Sequence, residues 1–157
     1  MNSEQRFLSE PGPMGLFARL SRVALLLDAF QHRCLDAFDI RFIDYSVMRV
    51  LQLAGAPYRV SAGELSDIVL RSSGGMTQIL DRLEQLGLVH RVTDRNDRRK
   101  VLAELTDEGL DAVQKASAAY ARERRRILRH LSGPQAERVD SAVRLLLDVF
   151  TEDASHA

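Results

Sequence analysis

Between Arg91 and Lys100 the chain places five cations, Arg91, Arg95, Arg98, Arg99 and Lys100, against two acids, Asp94 and Asp97. Guanidinium groups crowded onto one short loop can hold phosphate oxygens or enter the negative potential of a narrow minor groove. Just upstream, Thr77, Gln78, Asp81, Arg82 and Gln85 share the polar side of one amphipathic segment. A glutamine amide matches the edge of adenine and an arginine fork matches guanine, while hydroxyls such as those of Ser72 and Ser73 reach phosphates. The chemistry on offer is recognition of a nucleic acid.

The formal net charge is zero. The charge that could meet a polyanion is therefore local, and binding by the whole surface is excluded. Enzyme chemistry finds no support in the motifs. There is no phosphate-cradling glycine loop and no Gly-x-Ser-x-Gly elbow, and the cluster Ser72-Ser73-Gly74-Gly75 leads directly into the polar-faced helix. His32, His90, His130 and His156 lack metal-ligand spacing, and the one cysteine, Cys34, excludes an internal disulfide and a multi-cysteine metal site. No catalysis, metal or cofactor is expected.

The elements that must position these residues follow from periodicity and caps. Leu16, Leu20, Val23, Leu27, Phe30, Cys34 and Ala37 recur in alternating steps of four and three, a heptad-like stripe on one long helix from Met14 to Phe38. That stripe suits packing either on the chain's own core or on a second subunit. A second helix, about Asp44 to Ala54, presents Val47, Met48, Val50 and Leu51 and ends at Gly55 and Pro57. Ser61 and Glu64 form a capping box that opens a short helix with Leu65, Ile68 and Val69. After a serine- and glycine-rich break, a helix from about Ser73 to Leu86 buries Met76, Ile79, Leu80, Leu83 and Leu86 and stops at Gly87.

Leu88–Thr93 and Lys100–Leu105 read as two strands, the second with Val101, Ala103 and Leu105 inward, so the cations sit at a hairpin tip. Thr106 caps a helix reaching about His130 through Leu110, Val113, Tyr120, Ile127 and Leu128. Ser132 and Gln135 make a second capping box for a last helix with Val139, Val143, Leu146, Leu147 and Phe150 inward. The fold class is mostly α with a small β-hairpin. A capped helix, a turn, a polar-faced helix and a basic hairpin, in that order, are the parts of a winged helix-turn-helix.

The 157 residues, 45% hydrophobic and 28% charged, allow one or two globular lobes. The longest apolar run, Val23 to Leu27, is far short of the roughly 20 residues that cross a bilayer, and the start of the chain has no secretory pattern. A cytoplasmic location and no membrane partner are expected.

The segment ELSDIVLRSSGGMTQILDRLEQLGLVHRVTDRNDRRKVLAELTDEG, residues 64–109, resembles the MarR family of transcriptional regulators. The resemblance is carried by Leu83 to Val89, by the Asp-x-x-Asp-Arg-Arg run from Asp94 to Arg99, and by Leu105 to Gly109. It implies a homodimer that binds a palindromic double-stranded DNA operator, with half-sites roughly 34 Å apart. Residues 14–42 and 107–151 would form the helical dimerisation region and residues 43–106 the DNA-binding lobe, with 1–13 and 152–157 as flexible termini. Ser72, Ser73, Thr77, Gln78 and Arg82 would supply the recognition helix, and Arg95, Asn96, Asp97, Arg98 and Arg99 the wing. By the same match Asp97 braces the wing, Arg99 enters the minor groove, and Arg95 and Arg98 meet phosphates.

The resemblance further implies a repressor released by a small aromatic or phenolic ligand. Phe38, Arg41, Tyr45 and Arg49 are the candidate pocket, an aromatic and cationic set for a carboxylate. The wording from Ala56 to Glu84 leans toward the branch with urate-responsive members, but the chain has no Trp, and Ser46 and Leu53 replace that branch's acid and arginine. Two other readings compete: a winged-helix protein-interaction adaptor, and a redox-sensing regulator acting through Cys34. The adaptor does not need the Asp97-Arg98-Arg99 tip. Cys34, late on its helix and on the apolar stripe, reads as a buried, inert thiol.

Overall fold

A computed structural model describes residues 3–94, 97 and 100–155. The chain forms two compact units, Met1–Tyr120 and Ala121–Ala157. The elements are α1 (Ser3–Leu8), α2 (Gly12–Leu35), α3 (Phe42–Leu53), β1 (Arg59–Ser61), α4 (Ala62–Ile68), α5 (Ser73–Gln85), β2 (Val89–Thr93), β3 (Val101–Leu105), α6 (Asp107–Leu128) and α7 (Gly133–Ser155).

The core of the first unit is built from the apolar faces read in the sequence. Val47, Met48 and Leu51 of α3, Leu65 of α4 and Met76, Leu80 and Leu83 of α5 meet Val89 and Ala103 of the strands and Val113 and Ala116 of α6, all essentially inaccessible to water. Beside them Phe30, Phe42, Tyr45 and Tyr120 form a ring cluster with centroids 5.5 to 5.9 Å apart, tilted rather than stacked, as aromatic quadrupoles favour.

Local signals fix the element ends. The Ser61 hydroxyl accepts from the Glu64 amide at 3.2 Å, and the Thr106 hydroxyl accepts from the Gly109 amide at 2.9 Å while donating to the Gly87 carbonyl at 2.7 Å. At the end of α5 the Leu88 amide donates to Leu83 and the Gly87 amide to Glu84, both at 2.9 Å. This pair of bonds is the Schellman arrangement, and it requires the left-handed Gly87, whose φ is +70°. Gly109 has a different reason. A Cβ there would collide with the Leu88 carbonyl, which comes close to the first turn of α6.

Several expectations are corrected. The long first helix stops at Leu35; a 3-10 turn covers Asp36–Phe38, and Asp39 takes a left-handed conformation with φ +51°. Within the stripe Phe30 and Cys34 are buried, but Leu16, Val23 and Leu27 are 42%, 60% and 46% exposed. Val139, Val143, Leu147 and Phe150, read as inward, are exposed, as are Leu86 and Val101. Periodicity identifies an apolar face without saying what covers it. Residues 3–8, expected as part of a flexible terminus, are helical, and the Arg19 guanidinium donates to the Leu8 and Glu10 carbonyls behind them. At the other end α7 continues to Ser155, beyond the expected boundary at residue 151.

The sheet has three strands, ordered β1-β3-β2 and antiparallel throughout. β1 was not expected: three residues are too few to display a period-two pattern. Its register sets Arg59 opposite Glu104, and β2 sets His90 opposite the same residue. The carboxylate of Glu104 pairs with Arg59 at 2.5 Å and approaches His90 at 3.6 Å.

Candidate nucleic-acid interface

α4, the turn through Arg71 and α5 make two helices joined by a tight corner. The Arg71 amide bonds the Ser66 carbonyl at 2.9 Å, and the Ser72 hydroxyl caps α5 by accepting from the Gly75 amide at 3.2 Å. Ser72 accepts through one lone pair in this role, so its proton stays free to donate outward. The exposed start of α5 also presents helix-terminal amides, an anion-binding arrangement.

The outer face of α5 divides into two groups. Ser73, Thr77, Gln78 and Gln85 are exposed. The Thr77 hydroxyl donates to the Ser73 carbonyl at 3.0 Å. Its remaining capacity toward a base is therefore acceptance or contact through its methyl. Arg82 behaves differently. Its Nε donates to Oδ2 of Asp44 at 3.0 Å and an Nη to the Asp39 carbonyl at 3.1 Å. The guanidinium expected among the base-reading groups is thus bent back onto α3 and the turn before it.

Arg91, counted in the sequence as part of the basic loop, also faces α5. From β2 it donates to Asp81 at 2.7 Å, to the Thr77 carbonyl at 3.3 Å and to Glu84, while its backbone amide bonds Glu84 at 2.9 Å. Sequence reasoning missed this role, since charge alone does not reveal which way a strand side chain points. In register Arg91 lies opposite the buried Ala103; its two-residue spacing from Val89 was the signal the sequence offered. Arg71, exposed at the corner before α5, was likewise not singled out.

Behind α5 the hairpin is closed by Asp94 and Lys100, whose backbones bond at 3.0 Å, and by the Lys100 amide on the Asp97 carbonyl at 2.8 Å. Lys100 is exposed at its base. The expected wing contacts Arg95, Asn96, Arg98 and Arg99 lie outside the described residues.

The four residues expected to line a ligand pocket have separate surroundings. Tyr45 is buried in the ring cluster with its hydroxyl 3.2 Å from that of Ser117; Phe38 packs on the core; Arg49 bonds Gln52 at 2.5 Å. Of the set, Arg41 borders a concavity of about 620 Å3, where it joins Asp28, Gln31, His32, Phe42, Ser46 and Arg71. Among the described residues no three metal-ligating side chains lie together, and no helix is long and apolar enough to cross a membrane. Cys34 is buried.

A capped helix, a tight corner, an exposed polar helix and a hairpin packed behind it define a winged helix-turn-helix. The sequence model of the MarR family matches residues 38–100. PecS of Dickeya dadantii, an HTH-type transcriptional regulator, is 30% identical over 135 residues, 86% of this chain and 79% of PecS. The chain belongs to the MarR family of winged-helix transcriptional regulators, whose members are not enzymes. The fold agrees. AbsC, a MarR family regulator from Streptomyces coelicolor, superposes with a TM-score of 0.77 at 20% identity, covering 91% of this chain and 98% of AbsC. Sco3205 from the same organism, solved in complex with DNA, gives 0.76 at 21% identity over 89% and 91% of the two chains.

Proposed function

We propose that this regulator is a homodimer that binds a palindromic operator in double-stranded DNA and represses transcription until a small aromatic or phenolic acid releases it. The observation that carries the reading is the outer face of α5, where Thr77 and Gln78 stand exposed on a helix whose start offers capped amides and hydroxyls. Gln78 reads adenine in the major groove, Thr77 accepts from or packs against a neighbouring base, and Ser72 and Ser73 bind phosphate. On the wing, which Asn96 shares, Arg99 enters the adjacent minor groove and Arg95 and Arg98 meet phosphates. The DNA complex of the structural neighbour Sco3205 supports the same partner for this chain.

Dimerisation is supported by the exposed apolar faces. Val23 and Leu27 of α2 and, separately, Val139, Val143, Leu147 and Phe150 of α7 leave leucine, valine and phenylalanine side chains exposed to water. A soluble monomer rarely exposes such continuous apolar area. Residues 43–106 are then the DNA-binding lobe and the flanking helices the dimerisation region, in a protein of the cytoplasm.

For the effector, the concavity beside Arg41 extends the set of Phe38, Arg41, Tyr45 and Arg49. Arg41 and Arg71 supply cationic groups over the apolar walls of Phe42, Val50 and Val69, the pairing that holds an aromatic carboxylate. A mobility-shift titration on DNA upstream of the protein's own coding region, with and without a panel of aromatic acids, tests the reading. Saturable binding released by one of them is expected; binding that none disturbs removes the effector from the account, and absence of binding at low salt there and to operators selected from random DNA removes the operator.

A further inference from the structure

We infer that Arg82 is a positioning residue rather than a base reader, and that its partner, the buried Asp44, sets the angle at which α5 meets DNA. The inference rests on reading α5 as the recognition helix and says how that helix is held. Asp44 is 1% exposed, in the first turn of α3. Its Oδ2 accepts twice, from the Arg41 amide at 2.9 Å and from Arg82 Nε at 3.0 Å. Its Oδ1 is buried with no hydrogen-bond partner among the described residues. A carboxylate so placed depends on the guanidinium that pairs with it, and removing either member leaves the other uncompensated.

The second donation of Arg82 adds direction. One Nη reaches the carbonyl of Asp39, whose left-handed backbone turns the chain into α3. A planar guanidinium bound at two points on a neighbouring element fixes the rotation of its own helix as well as its distance. Arg82 lies one turn beyond Gln78 on α5, so a change in that rotation moves the proposed reading face directly. A base-contacting arginine would have to abandon both Asp44 and Asp39 to reach the groove.

Binding-site selection from a random duplex pool separates the two roles, using wild type, Asp44→Asn, Arg82→Gln, the double variant and Gln78→Ala, with the sequence enriched by wild type as the common probe. The brace predicts that Asp44→Asn and Arg82→Gln each lower the specific affinity by about tenfold or more. They lower it against every base position alike, and the double variant is no weaker than the weaker single one. Non-specific DNA affinity and the dimer stay unchanged. A base-reading Arg82 predicts instead that Arg82→Gln relaxes one position per half-site while Asp44→Asn binds as well as wild type or better, and that result overturns the inference. Should Asp44→Asn fail to fold, the Arg82→Gln profile decides by itself: uniform loss supports the brace, and one relaxed position overturns it. Gln78→Ala monitors the underlying reading. If it relaxes nothing, α5 is not the recognition helix and the inference falls with that assignment. If it relaxes a position while Asp44→Asn has no effect, only the brace falls.

Discussion

Arg91 on β2 holds Asp81 on α5 at 2.7 Å. The same guanidinium takes in Glu84, so one strand residue ties the helix to the sheet and offsets part of the negative charge of the two acids it meets there. A helix that approaches phosphates with uncompensated carboxylates would be repelled by them.

Arg91→Ala therefore weakens DNA binding more than it weakens the fold. The pair is partly exposed, with side-chain accessibilities of 28% and 51%, so the stability loss stays under about 1 kcal/mol. Operator affinity falls further, and Asp81→Asn added to Arg91→Ala recovers part of it. Thermal melts and mobility shifts on the three proteins check both halves; equal affinity for the two variants contradicts the neutralising role.

Gly109→Ala acts through packing alone. The added methyl meets the Leu88 carbonyl, which approaches the first turn of α6 because it also accepts from the Thr106 amide at 3.1 Å. A destabilisation of about 1 to 3 kcal/mol is expected from forcing backbone apart in a filled space, measured by denaturant melts. Gly63→Ala is the control, since a Cβ there meets nothing within 4 Å.

Leu147→Glu tests the apolar face of α7. Leu147 is 60% exposed in the chain, so the substitution leaves helical content intact by circular dichroism. Sedimentation then shows a shift from dimer to monomer with loss of operator affinity. A variant that remains fully dimeric places the interface elsewhere.

The wing prediction concerns Arg99. Arg99→Ala lowers affinity by about 1 to 3 kcal/mol for all sequences, with a salt slope shallower by about one unit. Titrations at two salt concentrations measure both, and an unchanged slope removes Arg99 from the phosphate or groove contacts.

Much of the architecture was legible because it is local. Ser61, Ser72 and Thr106 announce helix starts through hydroxyls that only the next turn can satisfy, and Gly87 announces an end through a backbone state that other residues avoid. Met76, Leu80 and Leu83 declare the buried face of α5 by period. What stayed hidden depended on partners distant in sequence. Arg82 sits on the polar face by period, yet its long side chain reaches back to a carboxylate on α3. β1 exists because the edge of β3 is open to Arg59–Ser61, which three residues cannot signal. Val143 and Leu147 form an apolar face as read, and nothing in a heptad pattern separates cover by the same chain from cover by another.

The most direct test of the account is to select binding sites from a random duplex pool with wild type and with Gln78→Ala. The account predicts a palindrome with half-sites roughly 34 Å apart for wild type, and relaxed preference at one symmetric pair of positions for the variant. No enriched sequence, or an identical preference in both proteins, would contradict the claim that the outer face of α5 reads DNA.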